Sequence, residues 1–97
     1  MKRLVMVLFN TALESRVSGV LEQQNVAAYT KVERVQGTGT HSVPHLGTHV
    51  WPALNHQLLI VLDATAVDGL LDALRVLKQE YPKEGLAAYV LPVEQTL

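Results

Sequence analysis

Two stretches of this chain, Leu4-Val5-Met6-Val7-Leu8-Phe9 and Gln57-Leu58-Leu59-Ile60-Val61-Leu62, are short and almost wholly apolar. Runs of this length suit strands covered on both faces, because a half-exposed strand alternates apolar with polar residues. Each run leads into a helical pattern. After the first comes Thr11-Ala12-Leu13-Glu14, the spacing of a capping box, in which the Thr11 hydroxyl takes a free backbone N–H and Glu14 reaches back. Leu13, Val17, Val20 and Leu21 then share one helical face, and Asn25, which tolerates the left-handed conformation, marks the helix end. After the second run, Thr65 and Asp68 read as another cap pair. Val67, Leu70, Leu71, Leu74, Leu77 and Tyr81 follow as an apolar stripe that stops at Pro82.

Each helix leads to a further strand. Val26 to Val35 is rich in β-branched residues, and from Tyr29 it alternates: Tyr29, Lys31, Glu33 and Val35 against Thr30, Val32 and Arg34. Leu86 to Val93 is the fourth, with Pro92 near its end, where a missing N–H is tolerated. Two strand–helix–strand halves with right-handed crossovers predict an α+β fold. It is a ferredoxin-like βαββαβ sandwich, a four-stranded antiparallel sheet with two helices on one face. The other sheet face would be unusually apolar and needs a cover, and sheet-to-sheet packing in a dimer or trimer is the economical one.

The 97 residues predict a single domain, 1–97. With 48% apolar and 18% charged residues the chain can build a core. A formal net charge of −1 argues against a nucleic-acid partner, since phosphate neutralisation needs a basic surface. The absence of cysteine excludes disulfides, thiol catalysis and thiolate metal sites. Met1-Lys2-Arg3 has the charge of a secretory leader, but its six-residue apolar run leads into a helix with no convincing cleavage site, so a buried first strand is expected. No apolar run approaches the roughly 20 residues needed to span a bilayer, so neither membrane insertion nor any location but the cytoplasm is expected.

Between the second and third strands lies the stretch that breaks the regular pattern, a projecting loop at about 36–52. It holds three of the four histidines and the only tryptophan, flanked by glycines and prolines. A small domain that gathers its unusual side chains into one loop holds that loop out for a purpose. His41, His45 and His49 recur every four residues, but Gly39, Pro44 and Gly47 argue against a helix. Extended, the spacing puts consecutive histidines about 13 Å apart, at roughly 3.3 Å per residue. One ion, with metal–nitrogen bonds of about 2 Å, cannot reach two of them. A metal site would need a turn at Ser42-Val43-Pro44, or one histidine from each of three copies, with Glu33 or Asp63 completing the shell. Polar loop histidines without a ligand, or histidines contacting an anionic effector, are the other readings. His56 reads as a turn residue at the start of the third strand, Trp51 as a plug for the sheet edge or a flat stacking surface. Glu14, Glu22, Asp72, Arg75 and Lys78 read as solvated helix faces. Ser42 beside His41 or His45 is adjacency, not a triad, and no catalytic set emerges, so no enzyme is expected.

Three segments carry a resemblance. Val35-Gln36-Gly37-Thr38-Gly39 resembles the V-x-G-x-G step at which the second strand of the P-II nitrogen-regulatory superfamily runs into its long T-loop. Trp51-Pro52 to Leu62 is similar to that family's return into strand three, and Ala88-Tyr89-Val90-Leu91-Pro92-Val93-Glu94 to its fourth strand. The divalent-ion-tolerance (CutA-like) trimers share the fold and are the nearest competitor. The resemblance implies a homotrimer with sheets facing inward. It also implies a small, nucleotide-like or otherwise anionic effector bound between subunits, and a loop presented to a regulated partner protein. It carries ligand binding onto Gly37, Thr38 and Gly39, where backbone N–H groups without a Cβ in the way can approach an anion. The family's Gly-Asp-Gly-Lys-type segment is replaced by Lys83-Glu84-Gly85-Leu86-Ala87-Ala88, which leaves Lys83 as the nearby phosphate partner. An adenine nucleotide and a divalent metal at His41, His45 or His49 are the cofactors left open.

Overall fold

The computed structural model describes residues 1–37 and 54–97. Strand β1 (Lys2–Asn10) runs through a short 3₁₀ turn (Thr11–Leu13) into helix α1 (Glu14–Gln23), and β2 (Thr30–Gln36) follows. Then come β3 (Leu54–Asp63), helix α2 (Ala64–Glu80) and β4 (Leu86–Pro92). The strands form one antiparallel sheet in the order β2-β3-β1-β4. This is the expected ferredoxin-like sandwich.

One face of the sheet meets the helices. Val5, Val7 and Phe9 of β1 and Leu58 and Ile60 of β3 are buried there, against Leu13, Val17 and Leu21 on one side and Val67, Leu70, Leu74 and Leu77 on the other. The helix stripes read from the sequence are the buried ones, with Val20, Leu71 and Tyr81 packed at their margins. Asn25 ends the first helical segment at φ 58°, in the left-handed region expected of it.

The caps differ from the sequence expectation. Asn10, not Thr11, takes the free N–H, its Oδ1 accepting from the Ala12 N–H at 2.8 Å. The interposed 3₁₀ turn shifts α1 by three residues, so Glu14 opens the helix instead of closing a capping box. Asp63, not Thr65, stands at the N-cap of α2, and its carboxylate pairs with Lys2 at 2.9 Å instead of capping. Strand competition explains both: Asn10 and Asp63 are ladder residues whose extended backbone leaves each at the sheet-to-helix corner.

Strand β2 also departs. It starts at Thr30, and its register on β3 slips between Val32 and Val35. Val32 pairs with Gln57 and Val35 with Asn55, so Glu33 and Arg34 together lie opposite His56. This is a β-bulge, and Arg34 carries it at φ 59°. The extra residue puts Val35 on the same face as Val32, where simple alternation had placed it with Lys31. Arginine is a costly occupant of the left-handed region, by about 1–2 kcal/mol relative to a right-handed residue. Arg34→Gly is therefore expected to raise the urea midpoint and Arg34→Val to lower it, with stabilities separated by roughly 1–2 kcal/mol. Equal midpoints would remove the strain argument.

The face away from the helices carries Leu4, Met6, Leu59, Val61, Tyr89 and Leu91, which the ladder registers place side by side. Val61 is 50% exposed and Tyr89 56%. The expected apolar outer face is present.

Candidate functional site

One end of the sheet gathers the strand ends that flank the loop in sequence with those of β1 and β4. Strand β2 ends there at Gln36 with Gly37 after it, β3 begins there at Leu54, β1 ends at Asn10, and β4 begins at Leu86 just past Lys83 and Gly85. The Asn10 N–H donates to the Gly85 carbonyl at 2.9 Å, which fixes the turn carrying Lys83 to the end of β1. Asn10 and Asn55 are ladder partners, and Asn55 pairs in turn with Val35. A Cβ on Gly37 would lie 3.5 Å from Asn55 Nδ2, so the Asn55 carboxamide faces the side of Gly37 that a side chain would occupy.

Of the sequence-predicted ligand residues, Gly37 and Lys83 thus share one end of the sheet, both exposed. They stand at opposite edges, β2 and β4. Three strand spacings of roughly 4.8 Å put about 14 Å between those edges. An anion of a few atoms is shorter than that span. Thr38, Gly39 and the candidate metal ligands His41, His45 and His49 lie outside the described residues, as do Ser42, Trp51 and Pro52.

The outer face is graded toward this end. Leu4, Met6, Leu59 and Leu91 give way to Gln57, Asn55 and Asn10 as the strands approach the loop. Sequence reasoning passed over these three carboxamides. The available signal was that uncharged carboxamides end the apolar runs on the loop side, whereas the charged Lys2 and Asp63 end them on the other. Carboxamides both donate and accept, so they suit a ligand with mixed polar edges.

Behind the same end, on the helix face, sits a charged cluster. His56 is only 7% exposed. It is an interior residue of β3, not a turn residue, because β3 begins two residues earlier. Its ring meets Phe9 edge-on at 5.7 Å between centroids. Its Nε2 lies 3.3 Å from Glu14 Oε2, while the Lys31 ammonium pairs with Glu14 Oε1 and stands 3.7 Å from Glu33 Oε1. Glu14 is therefore half-exposed but paired on both oxygens, not a free helix-face carboxylate. The Lys31 hydrogen bond holds its carboxyl below the usual carboxylate range, and Glu14 in turn raises Lys31.

Two other sequence-level candidates separate. Asp63 lies at the far end of β3, roughly 30 Å from Leu54 at about 3.3 Å per residue. Its carboxyl is held low by the Lys2 hydrogen bond. It cannot join a metal shell at the loop end, and Glu33 faces Lys31. Among the described residues, no three His, Asp or Glu side chains gather to hold a metal ion. No described helix is long and apolar enough to cross a membrane.

Comparison with known proteins agrees with this architecture. No curated protein sequence matches the chain. Among solved structures, a PII-like signaling protein from Thermus thermophilus superposes with a TM-score of 0.64 at 20% identity, over 93% of this chain and 84% of that one. The nitrogen regulatory PII-like protein CPII from Thiomonas intermedia, solved with ADP, AMP and bicarbonate, gives 0.69 at 14% identity, over 99% and 96%. A DUF3240 family protein from Shewanella baltica gives 0.73 at 11% identity, over 98% and 92%. At these identities the likeness establishes the fold. A family model for nitrogen regulatory protein P-II matches residues 1–97, the whole chain. The chain belongs to the P-II nitrogen regulatory protein family.

Proposed function

We propose that this protein is a non-enzymatic, cytoplasmic P-II-like sensor. It assembles as a homotrimer through its outer sheet faces and binds a small anionic effector between copies. Gly37, Thr38 and Gly39 of one copy and Lys83 of the next hold the effector, and the loop at about 36–52 is presented to a partner protein in response. One observation supports the reading: Gly37 and Lys83 share one end of the sheet yet sit on opposite edges, which favours a site built between two copies. The apolar outer face supplies the surface on which copies would meet. An adenine nucleotide is the first effector to test and bicarbonate the second, because CPII of the same fold was solved with ADP, AMP and bicarbonate. Ordering a loop through ligand contacts converts such binding into a signal.

Calorimetry against ADP, AMP and bicarbonate tests the proposal. The intact protein is expected to bind at least one of them. Lys83→Ala is expected to weaken that binding about tenfold, the equivalent of one lost charge-assisted hydrogen bond at roughly 1.4 kcal/mol. Absence of heat across all three, or a Lys83→Ala affinity equal to the parent's, would sink it.

A further inference from the structure

The helix-face cluster has a geometry that the effector site in front of it does not use. One carboxylate, Glu14 at the start of α1, is shared between β2 through Lys31 and β3 through His56. It lies where the strand pair needs help. The bulge at Glu33–Arg34 interrupts the β2–β3 ladder directly opposite His56, and only Val35 and Gln36 continue the pairing before Gly37. A bulge disrupts the local ladder, so alignment of the last β2 residues on β3 is left to other contacts. On its near side, Glu14 ties Lys31, which pairs with Leu58 before the bulge, to His56, the residue opposite the bulge.

The imidazole shows how closely the tie is specified. Its Nε2 faces Glu14 Oε2, while Nδ1 is buried with no hydrogen-bond partner among the described residues. A carboxylate can only accept, so Nε2 must carry the proton. A proton on Nδ1 instead would be a buried, orphaned donor, and two lone pairs would oppose each other across the His56–Glu14 contact. Phe9 borders the ring without offering a donor or acceptor. Among the described residues the neutral ring finds a partner in one tautomer, and Glu14 selects that tautomer.

We infer that Glu14 is a positioning residue for the loop-end site: by tying Lys31 to the Nε2–H tautomer of His56 on the near side of the bulge, it fixes His56 and so sets its chain neighbour Asn55 of β3 against Gly37 of β2. This rests on the reading of Gly37 as an effector contact, but its structural half stands independently. Neither Glu14 nor His56 needs to touch the effector, since His56 lies on the opposite sheet face from Asn55.

Three measurements on the full chain test it, using Glu14→Ala and the conservative Glu14→Gln, whose side-chain carbonyl can still accept from His56 Nε2–H. Long-range ¹⁵N–¹H correlation should show the Nε2–H tautomer of His56 in the parent and in Glu14→Gln, and a tautomer mixture in Glu14→Ala. Amide exchange at Val35, Gln36, Asn55 and His56 should accelerate in Glu14→Ala by about tenfold or more, with the β1–β4 amides unchanged. Where the parent binds ADP, AMP or bicarbonate, Glu14→Ala should weaken that ligand at least about fivefold and Glu14→Gln should recover most of the loss. An Nδ1–H tautomer in the parent, exchange rates equal to the parent's, or a uniform acceleration across the sheet would each overturn the inference. A parent that binds none of the three probes defeats the effector reading instead, and the exchange pattern and tautomer then decide the positioning claim alone.

Discussion

Leu70→Ala is expected to lower folding stability by about 2–5 kcal/mol, the range for deleting a fully buried leucine side chain. Leu70 has no exposed surface and lies at the middle of the α2 stripe, with Val67 a turn before it and Leu74 a turn after. Removing its isobutyl group takes dispersion contacts from the sheet side as well as the helix side, and a close-packed core relaxes only partly into the space. The same truncation at Val76, on the same helix but 54% exposed, is expected to change stability by less than about 0.5 kcal/mol. Urea melts of both variants measure the contrast. Comparable losses at the two positions would mean that the helix layer is not packed as described.

Leu59→Lys on the opposite sheet face is expected to leave the fold standing and to disperse the proposed homotrimer. Leu59 is flanked by its ladder partners Met6 on β1 and Thr30 on β2, near the middle of the apolar outer face. It contributes nothing to the buried core beneath the helices. Burying an unpaired ammonium in each copy's interface costs several kcal/mol, on the order of a thousandfold or more in association. Sedimentation equilibrium should therefore find the parent as a trimer and Leu59→Lys as a monomer at micromolar concentration, with matching far-ultraviolet circular dichroism. Because an obligate oligomer's stability depends on protomer concentration, the parent's melting temperature should also rise with concentration and the variant's should not. A variant that sediments like the parent would show that the outer face is covered by something other than copies of this chain.

The resemblance carried ligand binding onto Gly37, Gly39 and Lys83, and the register brings Gly37 and the Lys83 turn to the same end of the sheet. The relation between them was not legible, because it depends on strand order. Sequence neighbours β2 and β3 pair, but β1 intervenes before β4, so two residues that read as one site stand at opposite edges. Asn10, Asn55 and Gln57 were missed for the same reason: each is an ordinary polar residue at a strand end until cross-strand pairing lines them up.

Local patterning by itself determined the order of elements, the apolar stripes of both helices, the end of the first helix at Asn25 and the apolar outer face. These follow from periods of 3.6 and 2 residues, which need only near neighbours along the chain. Tertiary structure alone decided the bulge at Arg34, the face on which Val35 lands, and the partners of Glu14. A one-residue slip in register costs nothing that a local pattern can register, yet it reverses every side chain beyond it. Glu14 looked like one more exposed helix carboxylate because Lys31 and His56 are 17 and 42 residues away, and only the packing of α1 across β2 and β3 brings the three together.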